Sequence, residues 1–154
     1  MSRGIFKALT KLKDMIEAID PKTDIHQGFV CINDGSGLVS PLNTRFQSQR
    51  QFAFEIVSLA MDDGSAGLSG RKRVTVEIHV RYAVPKEEGF KIRMMTEDSG
   101  KLIDTIKGPQ YDFNPTGIVS VIPLQSRAEL ITDDVGEILG HMLIVPFDLL
   151  YLEA

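Results

Sequence analysis

The clearest pattern in the chain is a strict alternation of apolar and polar residues from Arg73 to Val84. Successive side chains of a β-strand point to opposite faces, so this pattern predicts a long antiparallel strand with one face on a core. The stretch exceeds the usual strand length of about 5–6 residues. The apolar side comprises Val74, Val76, Ile78, Val80, Tyr82 and Val84, and the polar side comprises Arg73, Thr75, Glu77, His79, Arg81 and Ala83.

Two further long strands are predicted, at Gln51–Met61 and Glu137–Leu152. In the first, the apolar positions change phase near Val57, which predicts a bulge or a strand that leaves the core. In the second, Pro146 cannot donate a ladder hydrogen bond and therefore predicts an edge or a bulge. Shorter strands are predicted at Phe29–Ile32 and Gly117–Gln125, with a polar connection over Arg127–Val135.

Two helices are predicted. Apolar residues recur at helical spacing from Ile5 to Ile19, and Asp20-Pro21 ends this amphipathic helix. The second helix is predicted from about Thr96 to Lys107, with Glu97 and Asp98 in its first turn. Gly100 weakens this second helix by roughly 1 kcal/mol relative to alanine.

The order of these elements is α-β-β-β-α-β-β, without the alternation of strands and helices that marks a parallel sheet. The sequence therefore predicts an α+β fold: a mostly antiparallel sheet of four to five long strands, with an N-terminal helix and a mid-chain helix packed on it. The chain has 154 residues, 43% hydrophobic and 25% charged, which is ordinary globular composition and predicts a single domain over residues 1–154.

Charge and targeting signals narrow the function classes. A net charge of −4 gives no electrostatic argument for nucleic-acid binding. The single Cys31 lies in an apolar run and predicts a buried thiol in a reducing compartment. The longest apolar run, Met142–Phe147, is far too short to cross a bilayer, and no apolar leader is present. We therefore expect a soluble protein of the cytoplasm.

No catalytic motif is found. His26, His79 and His141 are scattered, and none has a second metal ligand at a familiar spacing. His79 is predicted to be a solvated or interface histidine, and His141 a core or interface histidine. The glycines before Arg71-Lys72 do not fit a phosphate-binding loop, because a strand follows instead of a helix. The sequence thus predicts no enzyme activity, no cofactor and no metal site.

The more unusual feature is that Gln51–Met61 and Glu137–Leu152 carry apolar residues on both faces. Either helices and loops cover both faces, or part of this surface is buried against other subunits. Between the two central strands, Asp62–Gly70 is predicted to be a flexible, glycine-rich hairpin tip, and the positively charged residues Arg71, Lys72 and Arg73 follow it. This tip either reaches a partner and becomes ordered on contact, or is a mobile solvated turn.

The layout resembles the tail terminator proteins of long-tailed bacteriophages, and the resemblance covers most of the chain. It consists of an N-terminal amphipathic helix, a pair of extended strands with a glycine-rich tip, a mid-chain helix, and an apolar-aromatic strand just before the C-terminus. The corresponding residues are Ile5–Ile19, Gln51–Met61 with Arg73–Val84, Thr96–Lys107 and Met142–Tyr151.

The resemblance implies a structural, non-enzymatic role. Members of that family form a hexameric ring that caps the tail tube, stops its polymerisation and presents a surface to the head. The implied partners are further copies of the chain, the tail tube protein and the head-side connector or stopper protein, with DNA passing through the ring without specific binding and with no membrane. The implied location is the head-proximal end of the virion tail, assembled in the host cytoplasm. The residues hypothesised to bind a partner are Arg71, Lys72, Arg73, His79 and Arg81.

Two alternatives remain at this point. One is a phage neck or head-completion protein that contacts the capsid portal. The other, from a different functional class, is a small hydrolase or ligand-binding domain whose site is assembled from loops that carry His26, Asp34 or Asp133.

Overall fold

The computed structural model describes residues 4–19, 29–33, 50–58, 61–62, 71–83, 88–107, 117–132, 134–136 and 138–152. These residues form two helices and seven strands, and the predicted α+β fold is confirmed. In chain order the elements are α1 (Ile5–Glu17), β1 (Phe29–Asn33), β2 (Arg50–Ile56), β3 (Met61–Asp62), β4 (Arg71–Ala83), α2 (Glu88–Lys107), β5 (Ile118–Pro123), β6 (Arg127–Thr132) and β7 (Ile138–Leu152).

The strands form one sheet in the order β1-β2-β4-β7-β5, with β3 also on β4 and β6 also on β7. All pairs are antiparallel except β1 with β2, which are parallel. The long strands β4 and β7 pair along the whole of β4, from Arg71 opposite Leu152 to Ala83 opposite Gly140. They are the centre of the sheet and set the register for the other strands.

The predicted strand Gln51–Met61 is interrupted where its phase changes. Pairing of β2 with β4 ends at Ile56, and pairing resumes at Met61 in β3. In between, the Val57 amide donates to the Thr75 carbonyl at 3.0 Å. The Thr75 amide in turn donates to the hydroxyl of Ser58 at 2.9 Å, so that a side chain replaces a strand carbonyl. The predicted bulge is therefore confirmed.

The polar stretch after β5 was predicted to be a connection, and this prediction was wrong, because Arg127–Thr132 forms strand β6 on the same side of β7 as β5. Pro146 explains the break between β5 and β6. Its carbonyl accepts a hydrogen bond from the Leu124 amide at 2.9 Å. Since the N–H and C=O of one strand residue point to the same side, the missing donor of Pro146 faces this break. β7 is thus a central strand, and the irregularity lies in its neighbour.

The helices pack on one face of the sheet, and the predicted alternation in β4 is confirmed for the described residues. Across the strands, Val76 lies opposite Phe147 and Ile78 opposite Val145. Both helices and five strands contribute to the core, whose side chains include Leu9, Leu12 and Ile16 of α1, Leu102 and Ile106 of α2, Phe29 of β1, Phe52 and Phe54 of β2, Val74, Val76, Ile78, Val80 and Tyr82 of β4, Ile118 of β5, and Leu143, Val145, Phe147 and Leu149 of β7. The position of Val84 lies outside the described residues.

Helix α2 begins at Glu88, well before the predicted Thr96, whereas its end at Lys107 is as predicted. The prediction that Glu97 and Asp98 occupy the first turn was therefore wrong. Asp98 lies in the middle of the helix, is 1% exposed, and accepts a 2.6 Å hydrogen bond from the hydroxyl of Tyr82. A buried carboxylate that receives a bond from the sheet ties α2 to β4.

Candidate partner-binding surface

The face of the sheet opposite the helices, which we call the outer face, carries the polar side of β4. Along this face Thr75 lies across from Asp148, Glu77 from Pro146 and His79 from Ile144. The Thr75 hydroxyl donates to Oδ1 of Asp148 at 2.7 Å. The outer face is therefore a patterned surface in which polar residues of β4 are interleaved with apolar residues of β7.

Five charged or titratable side chains cross the outer face from β2 to β6, and we call them the charged ladder: Glu55, Glu77, His79, Arg127 and Glu129. The imidazole of His79 lies between two carboxylates, with Nε2 at 2.9 Å from Glu77 and Nδ1 at 3.4 Å from Glu55. Arg127 joins the other side, with Nη1 at 3.1 Å from Glu77 and Nε at 3.2 Å from Glu129. Glu77 is the centre, because it contacts both His79 and Arg127.

The ladder passes over β7. Arg127 is on β6 and Glu77 is on β4, so their ion pair spans the strand between them. On that strand Ile144 lies in register between His79 and Arg127 and is only 1% exposed, although it does not belong to the core under the helices. Arginine can cover apolar surface with its aliphatic stem while its guanidinium makes an ion pair. We infer that the ladder buries Ile144.

The electrostatics of the ladder are set by opposed charges. Glu55 and Glu77 are direct cross-strand partners, and like charges in this position repel. Burial by itself raises the pKa of Glu77, but hydrogen bonds from His79 and Arg127 outweigh burial, so that this pKa lies below its usual value. Hydrogen bonds to Glu129 and Glu77 raise the pKa of Arg127. The hydrogen bonds from His79 and Arg127 thus favour the ionised form of the Glu77 carboxylate.

The residues hypothesised to bind a partner do not form one patch. Strand alternation directs Lys72 and Arg73 to opposite faces, and Arg73 is exposed whereas Lys72 is partly buried. Six strand positions separate Arg73 from His79, a distance of about 20 Å at 3.3 Å per residue. The backbone of Arg71 lies in β4 opposite Leu152, and its side chain lies outside the described part of the structure.

His79 and Arg81 lie on the outer face, but neither is freely solvated. The imidazole of His79 is 17% exposed, because Glu55 and Glu77 hold it on the sheet between Ala53 and Ile144. Of the two predicted alternatives for His79, the solvated histidine is therefore wrong, and the interface histidine stays a prediction. Burial lowers the pKa of Arg81, whose guanidinium stays charged at neutral pH because arginine is the most basic side chain.

Several other predicted positions can be placed. His141 is 8% exposed and lies opposite Tyr82 on the helix face, as expected for a core histidine. Cys31 is half-buried in β1, and its amide donates to the Glu17 carboxylate at 3.2 Å. The loop residues of the alternative site, His26, Asp34 and Asp133, lie outside the described residues, and so do residues 63–70 of the predicted hairpin tip.

One edge of the sheet exposes apolar side chains, a feature that the sequence did not predict. Among the described residues, six large apolar side chains are exposed, and four of them fall within residues 122–135. We call these four the apolar edge: Ile122, Leu124, Leu130 and Val135. Ile122 lies opposite Asp148 on the outer face and Leu130 lies opposite His141 on the helix face, so these residues share the edge and not one face. Uncovered edge strands mark interaction surfaces. The signal was hidden because residues 127–135 were assigned to a connection.

No protein-family model matches the chain, and no curated protein matches it either. Within the described residues, neither helix has the length and apolar character required to cross a membrane. The function must therefore be inferred from the chain's own surfaces.

Proposed function

We propose that the chain is a structural protein of the tail terminator type, which forms a ring of identical subunits on the tail tube of a long-tailed phage, stops tube polymerisation and joins the tail to the head. The proposal combines the resemblance in layout with one structural observation, the apolar edge beside strand β6. Every described side chain of β6 is exposed, and Leu130 among them is a large apolar side chain that a contact with a second subunit would bury.

The two edges of the sheet are unlike, and this difference favours a ring. At the β1 edge, the carboxylate of Glu17 accepts the bond from the Cys31 amide and so occupies a backbone donor. At the other edge, β6 presents Leu130 at 58% exposure. Contacts between unlike surfaces are heterologous, and they close into a ring when the rotation between subunits permits it. The apolar edge is the surface that we assign to the contact between subunits.

The basic residues Arg71, Lys72 and Arg73 are assigned to the contact with the tail tube. They stand at the start of β4, where Arg73 is about 13 Å from Glu77 and about 20 Å from His79 along the strand. His79 and Arg81 are assigned a supporting role, because they are held within the outer face and shape it for contact. Docking to the tube and assembly of the ring can therefore be tested separately.

The test uses tubes assembled from the tail tube protein encoded in the same genome. We expect the chain to co-sediment with tubes, to be visible at tube ends by electron microscopy, and to stop tube growth when more tube protein is added. Continued growth at saturating concentrations of the chain would contradict the proposed function. Binding to the purified portal without binding to tubes would instead favour the head-completion alternative.

The basic residues are tested by replacing Arg71, Lys72 and Arg73 together with serine. Loss of about 0.5 kcal/mol per charge corresponds to roughly tenfold weaker binding to tubes. The fold, followed by far-UV circular dichroism, is expected to stay intact. Equal docking of the variant and the parent chain would exclude these residues from the contact.

The matched control removes the same three positive charges from helix α1, at Lys7, Lys11 and Lys13. These side chains lie on the polar side of α1, and Lys13 pairs only loosely with Asp14, at 3.8 Å. Docking should change little, because the overall charge is then matched and only the location differs. If both triple variants lose docking equally, net charge and not a specific contact controls the binding.

The apolar edge is tested by replacing Leu124 and Leu130 with serine, with Phe6→Ser on α1 as the control. Phe6 is 50% exposed, similar to the edge residues, but lies away from the sheet edge. Mass photometry of material released from tube ends should show rings for the control and single subunits for the edge variant. Intact rings in the edge variant would remove the apolar edge from the subunit contact.

A further inference from the structure

Three residues of the ladder have the donor chemistry of a metal site. Glu55, Glu77 and His79 each offer one ligand atom, and these three atoms lie within 4.8 Å of one another. Their positions are fixed by the sheet, because Glu77 and His79 are two residues apart on β4 and Glu55 is the direct cross-strand partner of Glu77. We propose that this cluster binds one divalent transition-metal ion of the zinc class.

The charges of the ladder favour such an ion. With a neutral imidazole, the ladder holds three carboxylates (Glu55, Glu77 and Glu129) and one guanidinium (Arg127). Two of these carboxylates oppose each other directly across the strands. A divalent cation between them replaces their repulsion with attraction to both. A metal ligand must be a neutral imidazole, so the ion competes with the proton for His79.

The ligand set also selects the class of metal. Imidazole together with carboxylates suits Zn²⁺, Co²⁺ and related ions, whereas Ca²⁺ requires six to eight oxygen ligands. Three protein ligands leave room for water in the remaining position. The site is further organised by Arg127, which holds Oε2 of Glu77 and leaves Oε1 directed at His79. A second set of hydrogen bonds that orients a ligand is typical of metal sites.

Only a small movement is needed to close the site. Zinc bonds of about 2.0–2.1 Å in tetrahedral geometry place the ligand atoms roughly 3.3 Å apart. Glu77 and His79 already meet at 2.9 Å. Glu55 is 60% exposed, so its side chain can rotate toward the ion without disturbing the sheet. An ion binds only one ring nitrogen, whereas Glu77 contacts Nε2 of His79 and Glu55 contacts Nδ1, so one carboxylate must move to the other nitrogen. Since the three donor atoms lie within 4.8 Å of one another, a movement of the exposed Glu55 carboxylate by about 1.5 Å brings them to the spacing of a zinc site.

Protons compete with the ion at a defined set of groups. Facing His79 are Glu55 from β2, Glu77 and Arg81 from β4 and, through its bond to Glu77, Arg127 from β6. From β7, Ile144 is the residue in register with His79 and carries no charge. Protonation of the imidazole adds a positive charge where the metal would bind. A metal ligand must be a neutral imidazole, so metal affinity should fall as the pH is lowered.

The experiment titrates the full chain, stripped with a chelator and dialysed, with Zn²⁺ by calorimetry and with Co²⁺ by visible absorption at pH 7.5. We expect one site per chain and a cobalt spectrum typical of four or five ligands. His79→Ala and Glu55→Gln should each weaken binding at least about tenfold. Since Glu55 is exposed, its variant keeps the test valid if His79→Ala folds poorly.

The matched control is Glu97→Gln, which removes the same charge from an exposed pair on α2 and should leave the affinity unchanged. Absence of binding tighter than roughly 100 μM would overturn the proposal. Unchanged metal affinity in both His79→Ala and Glu55→Gln would also overturn the proposal. The protein would then bind an adventitious ion only, at another place. The titration uses no tail tubes, so its outcome is independent of the proposed tail function.

Discussion

The two faces of the β4–β7 strand pair are built from the same register but are covered in different ways. On the helix face, Val76 and Phe147 are opposite each other and lie under the helices. On the outer face, Glu77 and Pro146 are opposite each other one residue further along, and the covering groups are the long side chains of the sheet itself. Neighbouring residues on a strand thus point to opposite faces, one into the apolar core and the next to the charged surface.

Because the two faces are covered differently, the helix face should determine the stability of the fold and the outer face its response to pH and salt. Burial of apolar side chains depends little on pH and salt, and it supplies most of the folding free energy. Ion pairs on a partly exposed surface depend on both pH and ionic strength. The helix face is therefore expected to keep the subunit folded, while the outer face can change its charge pattern without unfolding the protein.

The largest expected effect comes from the helix face. Phe147→Ala removes a fully buried ring and leaves a cavity, which should reduce the free energy of unfolding by about 3–5 kcal/mol. Phe6→Ala deletes the same atoms from a side chain that is 50% exposed and should cost less than about 1 kcal/mol. Urea unfolding of the two variants measures both. Similar costs would mean that Phe147 is not the core residue described above.

A polar contact within the helix face should come next. Tyr82→Phe removes the hydroxyl that donates to the buried Asp98 carboxylate, at a cost of about 1–3 kcal/mol. Combining it with Asp98→Ala in a double-mutant cycle isolates the pair, and we expect a coupling of at least about 1 kcal/mol. Additive costs would show that the hydroxyl and the carboxylate stabilise the fold through other groups.

The outer face is expected to respond through Glu77. Glu77→Gln should cost about 1–2 kcal/mol at pH 7, because the ionised carboxylate loses charge-assisted bonds to His79 and Arg127. The folded-state pKa of Glu77 is lowered, so its contribution is present above the unfolded value of about 4.3 and is lost as the pH falls through the folded value.

The measurement for Glu77 is therefore a series of unfolding curves from pH 7 to pH 3, in which the gap between parent and variant should close with acid. Glu97→Gln is the matched control. Glu97 pairs with Arg93 at 3.4 Å on the exposed side of α2, and its replacement should change stability by less than about 0.5 kcal/mol. If the difference in unfolding free energy between parent and variant stays constant down to pH 3, the contribution of Glu77 does not depend on its ionisation.

The periodic spacing of apolar residues was sufficient to predict much of the fold. The alternation after Arg73, the helical spacing after Ile5 and the long last strand were all predicted, because each has a dry face that repeats in sequence. Strand β6 was missed because an exposed edge strand has no buried face to give such a repeat. The first turns of α2 were missed because Gly89 lowers helix propensity there, and packing overrides propensity.

The charged ladder could be predicted only in part. The sequence places Glu77 and His79 on one side of a strand, which is a local inference. Arg127 joins them only through the register of β6 on β7 and of β7 on β4, two long-range pairings that alternation does not specify. The membership of the ladder therefore required the three-dimensional structure, and so did the burial of Ile144 beneath it.

The smallest expected effect tests whether the two faces are independent. Gly100 is an exposed residue in α2, and a Cβ added there meets no atom within 4 Å. Gly100→Ala should therefore stabilise the protein by about 0.5–1 kcal/mol. Gly136→Ala is the contrasting control, because its φ of 86° is unfavourable for alanine and predicts destabilisation despite equally open space.

The measurement compares the stabilisation by Gly100→Ala at pH 7 with that at pH 4, from unfolding curves at both pH values. The variant strengthens a helix over the helix face and touches none of the ladder residues, so its gain should be the same at both pH values. A gain that appears at only one pH would mean that the helices and the ladder are coupled through β4 and β7. Destabilisation would mean that α2 is not a regular helix at residue 100.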